Sequence, residues 1–112
     1  MSGAVAARLD SIKAHAGVQG REIAQLLDTT PQTISRWQQG RVDPQPTKLQ
    51  QLLALEWLTD QLVEFFPPDE ARLWLFSRHR LLAGDTPADR IQAGRTQDVL
   101  ALIEQLRDGA FV

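Results

Sequence analysis

Gln32, Thr33, Ser35, Arg36 and Gln39 crowd into residues 32–39, interrupted by two large apolar side chains, Ile34 and Trp37. At helical spacing, turning Ile34 and Trp37 inward leaves the five polar groups on the outer surface. The chemistry available there is recognition of nucleic-acid edges. A glutamine amide can pair with adenine through two hydrogen bonds and an arginine guanidinium with guanine, each contact giving about 1–3 kcal/mol of discrimination. Thr30 opens the same segment, while Arg21, Arg41 and Lys48 flank it as candidates for holding phosphate oxygens. The same pattern also suits an ordinary solvated helix face or a surface that contacts only protein.

Other chemistries lack their residues. With no cysteine, the chain offers no disulfide, thiolate zinc site, iron–sulfur cluster or Cys nucleophile. His15 and His79 are too few for a metal site, neither stands near a recognisable nucleophile or carboxylate pair, and no glycine-rich phosphate loop is present. The expectation is therefore a protein without catalytic residues, metal, cofactor or small-molecule substrate. At 112 residues, with 43% hydrophobic and 23% charged content, the chain can build a core of about one ordinary domain. Its net charge of −2 argues against broad positive coating, so any DNA contact has to be local. Residues 1–50 carry six Lys/Arg against four Asp/Glu, whereas residues 51–112 carry six against ten, a split that suggests two jobs. The absence of a long apolar run or leader pattern predicts a cytoplasmic protein with no membrane association.

The elements that position these residues read as helices throughout. Apolar residues recur at i, i+3, i+4 and i+7, and no alternating strand pattern occurs. Val5, Leu9 and Ile12 mark a first helix stopped by Gly17, and a short second helix carries Ile23, Ala24, Leu26 and Leu27. Thr30-Pro31 caps a third helix that ends at Gly40, and residues 41–46 form an extended connector. Thr47 and Gln50 have the spacing of a capping box for a long fourth helix reaching toward Pro67-Pro68. Its leucines occupy two faces, Leu49, Leu52 and Leu53 on one and Leu55, Leu58 and Leu62 on the other, so two neighbours should bury it. Trp57 and Trp74 are expected in the core. Beyond the prolines come a helix through Trp74, Leu75 and Phe76, a short helix capped by Thr86 and Asp89, and a last helix carrying Val99, Leu102, Ile103 and Leu106 up to Gly109.

The stretch Gln19–Arg41, QGREIAQLLDTTPQTISRWQQGR, resembles the helix-turn-helix of the phage-repressor-like Xre family, through Ala24, Ile34 and Trp37 at matching spacings. It departs from that pattern at Asp28, where the family usually has glycine, and at Thr29, where it usually has an apolar residue. The C-terminal half resembles the toxin-binding domain of the MbcA/ParS/Xre antitoxins. The likeness rests on Trp74-Leu75 after Pro67-Pro68, the loop Leu82-Ala83-Gly84-Asp85-Thr86-Pro87, Gly94, and the run Val99 to Ile103. The ending Asp108-Gly109-Ala110-Phe111-Val112 looks especially like the mycobacterial MbcA branch.

What the resemblance implies is an all-α chain with three parts: residues 1–46 as a helix-turn-helix bundle, 47–66 as a connecting helix, and 67–112 as a small toxin-binding domain. It implies an antitoxin that blocks a RES-domain toxin which destroys NAD, and that represses its own operon by binding operator DNA. A homodimer, or a higher hetero-oligomer with toxin, is the expected assembly. Leu106, Arg107, Phe111 and Val112 are the candidate toxin contacts, because a helix ended by Gly109 leaves apolar residues that need cover. Burying a phenylalanine contributes about 1.5–3 kcal/mol, and the cover could equally be the chain's own domain or a second copy. Arg78, His79 and Arg80 are further candidates, with an exposed cluster at a helix end as the simpler reading. A stand-alone repressor without a toxin is the alternative function.

Overall fold

The computed structural model describes residues 3–109, and in them the expected all-helical architecture is found. Seven helices follow in order: α1 (Gly3–Ala16), α2 (Gly20–Leu26), α3 (Pro31–Gln39), α4 (Pro46–Leu62), α5 (Pro68–Leu75), α6 (Pro87–Gln92) and α7 (Thr96–Arg107), with a 3-10 turn at Arg80–Leu82 between α5 and α6.

Local chemistry accounts for most boundaries. Thr30 caps α3 by accepting the Thr33 N–H at 3.1 Å, Pro31 occupies the first helical position, and Gly40 stops the helix at φ 77°. Thr86 and Asp89 form the reciprocal cap of α6, at 2.9 and 3.0 Å. Asp28, in the turn between α2 and α3, takes the left-handed conformation at φ 53°, one of the few side chains that tolerates it, and so stands in for glycine.

The fourth helix departs from expectation. It begins at Pro46 with Gln45 at the cap and no side-chain capping bond, so Thr47 already lies in the first turn and does not act as the cap. It ends at Leu62, short of the prolines, and residues 63–65 turn the chain. Leu52, Leu55, Leu58, Thr59 and Leu62 are its buried residues, whereas Leu53 is 37% and Trp57 59% exposed. Leu53 and Trp57 thus fall outside the core. Helices α1 and α7 both pack on α4, and together they leave this third side uncovered.

Core side chains from Leu9 to Ile103 form one connected cluster that draws on α1–α7. The N-terminal helices dock directly on the C-terminal ones: α1 packs against α5 and α2 against α6. The tightest point is Gly17, at φ 66°, where an added Cβ would stand 2.7 Å from the backbone oxygen of Pro68. Glycine is required there twice over, by dihedral angle and by space. Gly17→Ala should lower stability by more than about 1 kcal/mol. Gly20→Ala, where the new methyl meets only Ile34 Cγ2 at 3.7 Å, should be neutral or raise stability by up to about 1 kcal/mol. Urea denaturation of the two variants checks the contrast, and equal midpoints would contradict it.

Candidate functional site

Ile34 and Trp37, 2% and 3% exposed, anchor α3 in the core and turn Gln32, Ser35, Arg36 and Gln39 to the outside. The roll of the helix is set by a residue that sequence reasoning passed over. Gln38 Nε2 donates to Asp10 Oδ1 at 3.1 Å and to the Ala6 carbonyl at 3.4 Å, and its Oε1 accepts from Lys13 Nζ at 3.2 Å. Three bonds to α1 prevent rotation about the helix axis. Gln39 Nε2 donates to Ser35 Oγ at 3.0 Å, which organises two neighbouring outward groups. Thr33 is half-buried, and its hydroxyl lies 2.9 Å from that of Thr30, so both threonines are partly committed to the cap.

Beside this row lies a hollow of about 210 Å³ lined by Lys13, Gly20, Arg21, Pro31, Ile34, Ser35, Gln38 and Gln39. Arg21, Arg36 and Arg41 are exposed and, among the described residues, have no carboxylate within ion-pair distance. The arrangement offers amide, hydroxyl and guanidinium groups on a rigid convex helix, with free positive charge around it. Lys48 is placed differently. Its Nζ donates to the Leu27 carbonyl and, at 3.2 Å, to that of Asp28, so it caps the end of α2 and steadies the turn before α3.

Glu22 was likewise absent from the sequence expectations, although its spacing from Gln19 signals it. The Gln19 N–H donates to Glu22 Oε1 at 3.0 Å, and Arg72 Nη2 of α5 donates to Oε2 at 2.5 Å. Burial by itself raises the carboxyl's pKa, but the bonds from Arg72 and Gln19, with the nearby charges of Arg72 and Arg21, hold it below the ordinary 4.5. This pair joins the helix-turn-helix to the C-terminal half and neutralises an acid next to the candidate reading surface.

In the C-terminal half, Arg90 is the organising residue. Nε and Nη1 donate to Asp85 at 2.8 Å and Asp98 at 2.7 Å, and Nη2 to the Leu82 carbonyl at 2.7 Å. Its bonds to the Asp85 and Asp98 carboxylates hold its pKa above the ordinary arginine value. It ties the 79–86 loop to α7. The loop is also pinned at His79, whose N–H donates to the Asp85 carbonyl at 3.1 Å and whose Nε2 lies 3.1 Å from the Trp74 carbonyl, with the ring 5.0 Å from Trp74. His79 is therefore half-buried and tied down, which corrects the picture of an exposed helix-end cluster. Arg78 and Arg80 are exposed on either side of it, next to Leu81 at 55% exposure. Leu106 is half-buried. Arg107 bonds Gln61, approaches Glu64 at 3.5 Å and lies over the Phe65 ring. Phe111 and Val112 lie outside the described residues.

Comparison with known proteins follows the same outline. Residues 61–109 match the family model of the antitoxin Xre/MbcA/ParS C-terminal toxin-binding domain. The mycobacterial cidal antitoxins MbcA of Mycobacterium bovis and Mycobacterium tuberculosis are 40% identical over 96 residues, covering 86% of this chain and 85% of theirs. A probable mycobacterial cidal antitoxin of M. tuberculosis is 29% identical over 96 residues, 82% of its length. The fold matches a chain in the crystal structure of the M. tuberculosis MbcT-MbcA toxin–antitoxin complex with a TM-score of 0.83, 36% identity and 96% coverage of both chains. Helix-turn-helix geometry in front of such a C-terminal domain describes a class of helical antitoxin, and the chain belongs to the MbcA family of that class.

The Glu22 pair gives a signed pH prediction. A folded-state pKa below the unfolded one contributes stability that is complete above the unfolded value and is lost as pH falls through the folded value. Stability should therefore fall with pH below about 4.5. Glu22→Gln should flatten that acid limb, read as chemical-denaturation midpoint against pH; an unchanged slope would remove Glu22 from the account.

Proposed function

We propose that the chain neutralises a RES-domain toxin that degrades NAD, and represses its own operon through α3. The observation that carries the toxin-binding part is the match of residues 61–109 to a toxin-binding family model, together with the resemblance of nearly the whole chain to the antitoxin of a solved toxin–antitoxin complex. The division of labour is one of surfaces. Gln32, Thr33, Ser35, Arg36 and Gln39 read bases, with Arg21, Thr30 and Arg41 on the backbone, while Lys48 supports the turn that aims α3. Arg78, His79, Arg80, Leu106, Arg107, Phe111 and Val112 supply the toxin-facing side, His79 by holding the two arginines in place.

Ordering cost favours the residues that follow α7 as the blocking segment. A short extension beyond a rigid helix can enter an enzyme's cleft with little entropy to lose, because α7 already fixes its base. Phe111 provides the largest apolar group there. Leu106 and Arg107 approach the toxin on the same end of α7.

Both parts are testable on the full-length chain. Gln32→Ala and Arg36→Ala should each weaken binding to the operon's upstream DNA by about 1–3 kcal/mol in fluorescence anisotropy. Toxin binding should survive both changes, and full-strength DNA binding by the double variant would remove α3 as the reading helix. Coexpression with the neighbouring RES-domain protein should yield a stable complex. In titrations of that purified toxin, deleting residues 109–112 should leave the antitoxin's melting temperature nearly unchanged but weaken inhibition of NAD consumption. Equal inhibition by both forms would move the block elsewhere in the C-terminal half, and a neighbour that consumes no NAD would refute the RES assignment.

A further inference from the structure

A hollow of about 190 Å³ opens between the 3-10 turn at Arg80–Leu82 and α7. Leu82 and Leu102, both buried, form its floor, Leu81 and Ala101 stand at its sides, and the Arg90–Asp98 ion pair closes one end. Leu81 is 55% exposed, so the turn holds a large apolar group in water directly beside an unfilled space. We propose that this hollow is a socket for one apolar side chain of the toxin, gripped between Leu81 and Ala101, and that the toxin surface around that side chain is acidic. Such a socket presupposes the toxin-binding reading above, whatever reaction the toxin performs.

The turn that carries Leu81 is stiff. The Leu82 and Gly84 N–H groups both donate to the His79 carbonyl at 3.0 Å, and the Leu82 carbonyl accepts from Arg90 Nη2 at 2.7 Å. Little freedom remains to be lost when a partner docks on it. Ala101, exposed on α7, leaves the space open, whereas a longer side chain there would occupy it. A guest of about leucine size would take its own apolar surface and that of Leu81 out of water together.

Charge decides against a second copy as the guest. Arg90 and Arg95 are matched by Asp85 and Asp98, so the closed end of the hollow offers no unbalanced charge. Next to Leu81, Arg78 and Arg80 are exposed and, among the described residues, have no carboxylate within ion-pair distance. Two copies docked through this face about a two-fold axis would bring four such guanidiniums onto one interface. An acidic partner meets them favourably and is steered toward them. The whole lining also falls within residues 61–109, the segment that matches the toxin-binding family model, and the toxin is therefore the partner to look for on this side.

The test is biolayer interferometry of the full chain against the purified neighbouring toxin. Leu81→Ala should weaken binding about tenfold, chiefly through faster dissociation. Ala101→Leu, which fills the hollow and removes no contact, should weaken it by at least as much, and Arg80→Glu should slow association. Melting temperatures of the Leu81 and Ala101 variants should stay within a degree or so of the unaltered chain, because both positions are exposed. Unchanged affinity in either of these variants overturns the socket and leaves the toxin reading standing, and association undiminished in Arg80→Glu overturns the acidic rim. An unaltered chain that does not bind the toxin overturns the toxin reading itself and the socket with it. A Leu81→Ala variant that keeps full toxin affinity but self-associates less in sedimentation equilibrium would give the face to a second copy instead.

Discussion

Leu52, Leu55, Leu58, Thr59 and Leu62 line the buried side of α4, and helices from both ends of the chain must reach it, α1 from the N-terminal half and α7 from the C-terminal half. A 17-residue helix has room for both only if each keeps to its own flank. That shared burial makes the core continuous from Leu9 to Ile103, and it brings α1 and α2 against α5 and α6. Apolar burial is non-directional, however, and would permit sliding. The relative placement of the helices is set by contacts that tolerate no slack: Gly17 against the Pro68 carbonyl, and Glu22 against Arg72. Even the buried hydroxyl of Thr59 is satisfied inside the helix, by the Glu56 carbonyl at 3.0 Å, so the seam carries no polar penalty there.

Electrostatics then sorts the surface. The second half carries the acidic excess, yet many of its acids are engaged: Glu56 by Arg8, Asp60 by His15, Asp85 and Asp98 by Arg90, and Asp98 again by Arg95. Such exposed pairs add little stability individually. Their consequence is spatial, because they leave Arg21, Arg36 and Arg41 near α3, and Arg78 and Arg80 on the pinned loop, as cations without a carboxylate partner among the described residues. A chain of net negative charge can in this way present two local positive surfaces on opposite sides of its sequence. In each place rigidity comes from a neighbouring polar residue with several bonds, Gln38 for α3 and Arg90 for the loop. The loop also holds Ala83 at φ 57°, a conformation alanine adopts only when its surroundings impose it.

Sequence alone determined the helical class, the ends of α1, α3, α6 and α7, the inward turn of Ile34 and Trp37 and the likeness to an antitoxin family. These are local or pairwise signals: a cap acts over three residues, a glycine stop over two, and an apolar stripe repeats along its own helix. The candidate bases of recognition, Gln32, Ser35, Arg36 and Gln39, were legible for the same reason, since two anchors one turn apart fix which side of a short helix faces water. What only the tertiary structure decided depends on neighbours far along the chain. With leucines on more than one side of α4, periodicity could not say that Leu53 and Trp57 would be left in water, because that follows from where α1 and α7 dock. Nor could it show Lys48 bonding carbonyls 20 and 21 residues away, or Gln38 reaching α1. A long polar side chain reads identically whether it points to solvent or spans to another helix, and only the folded chain supplies the acceptor.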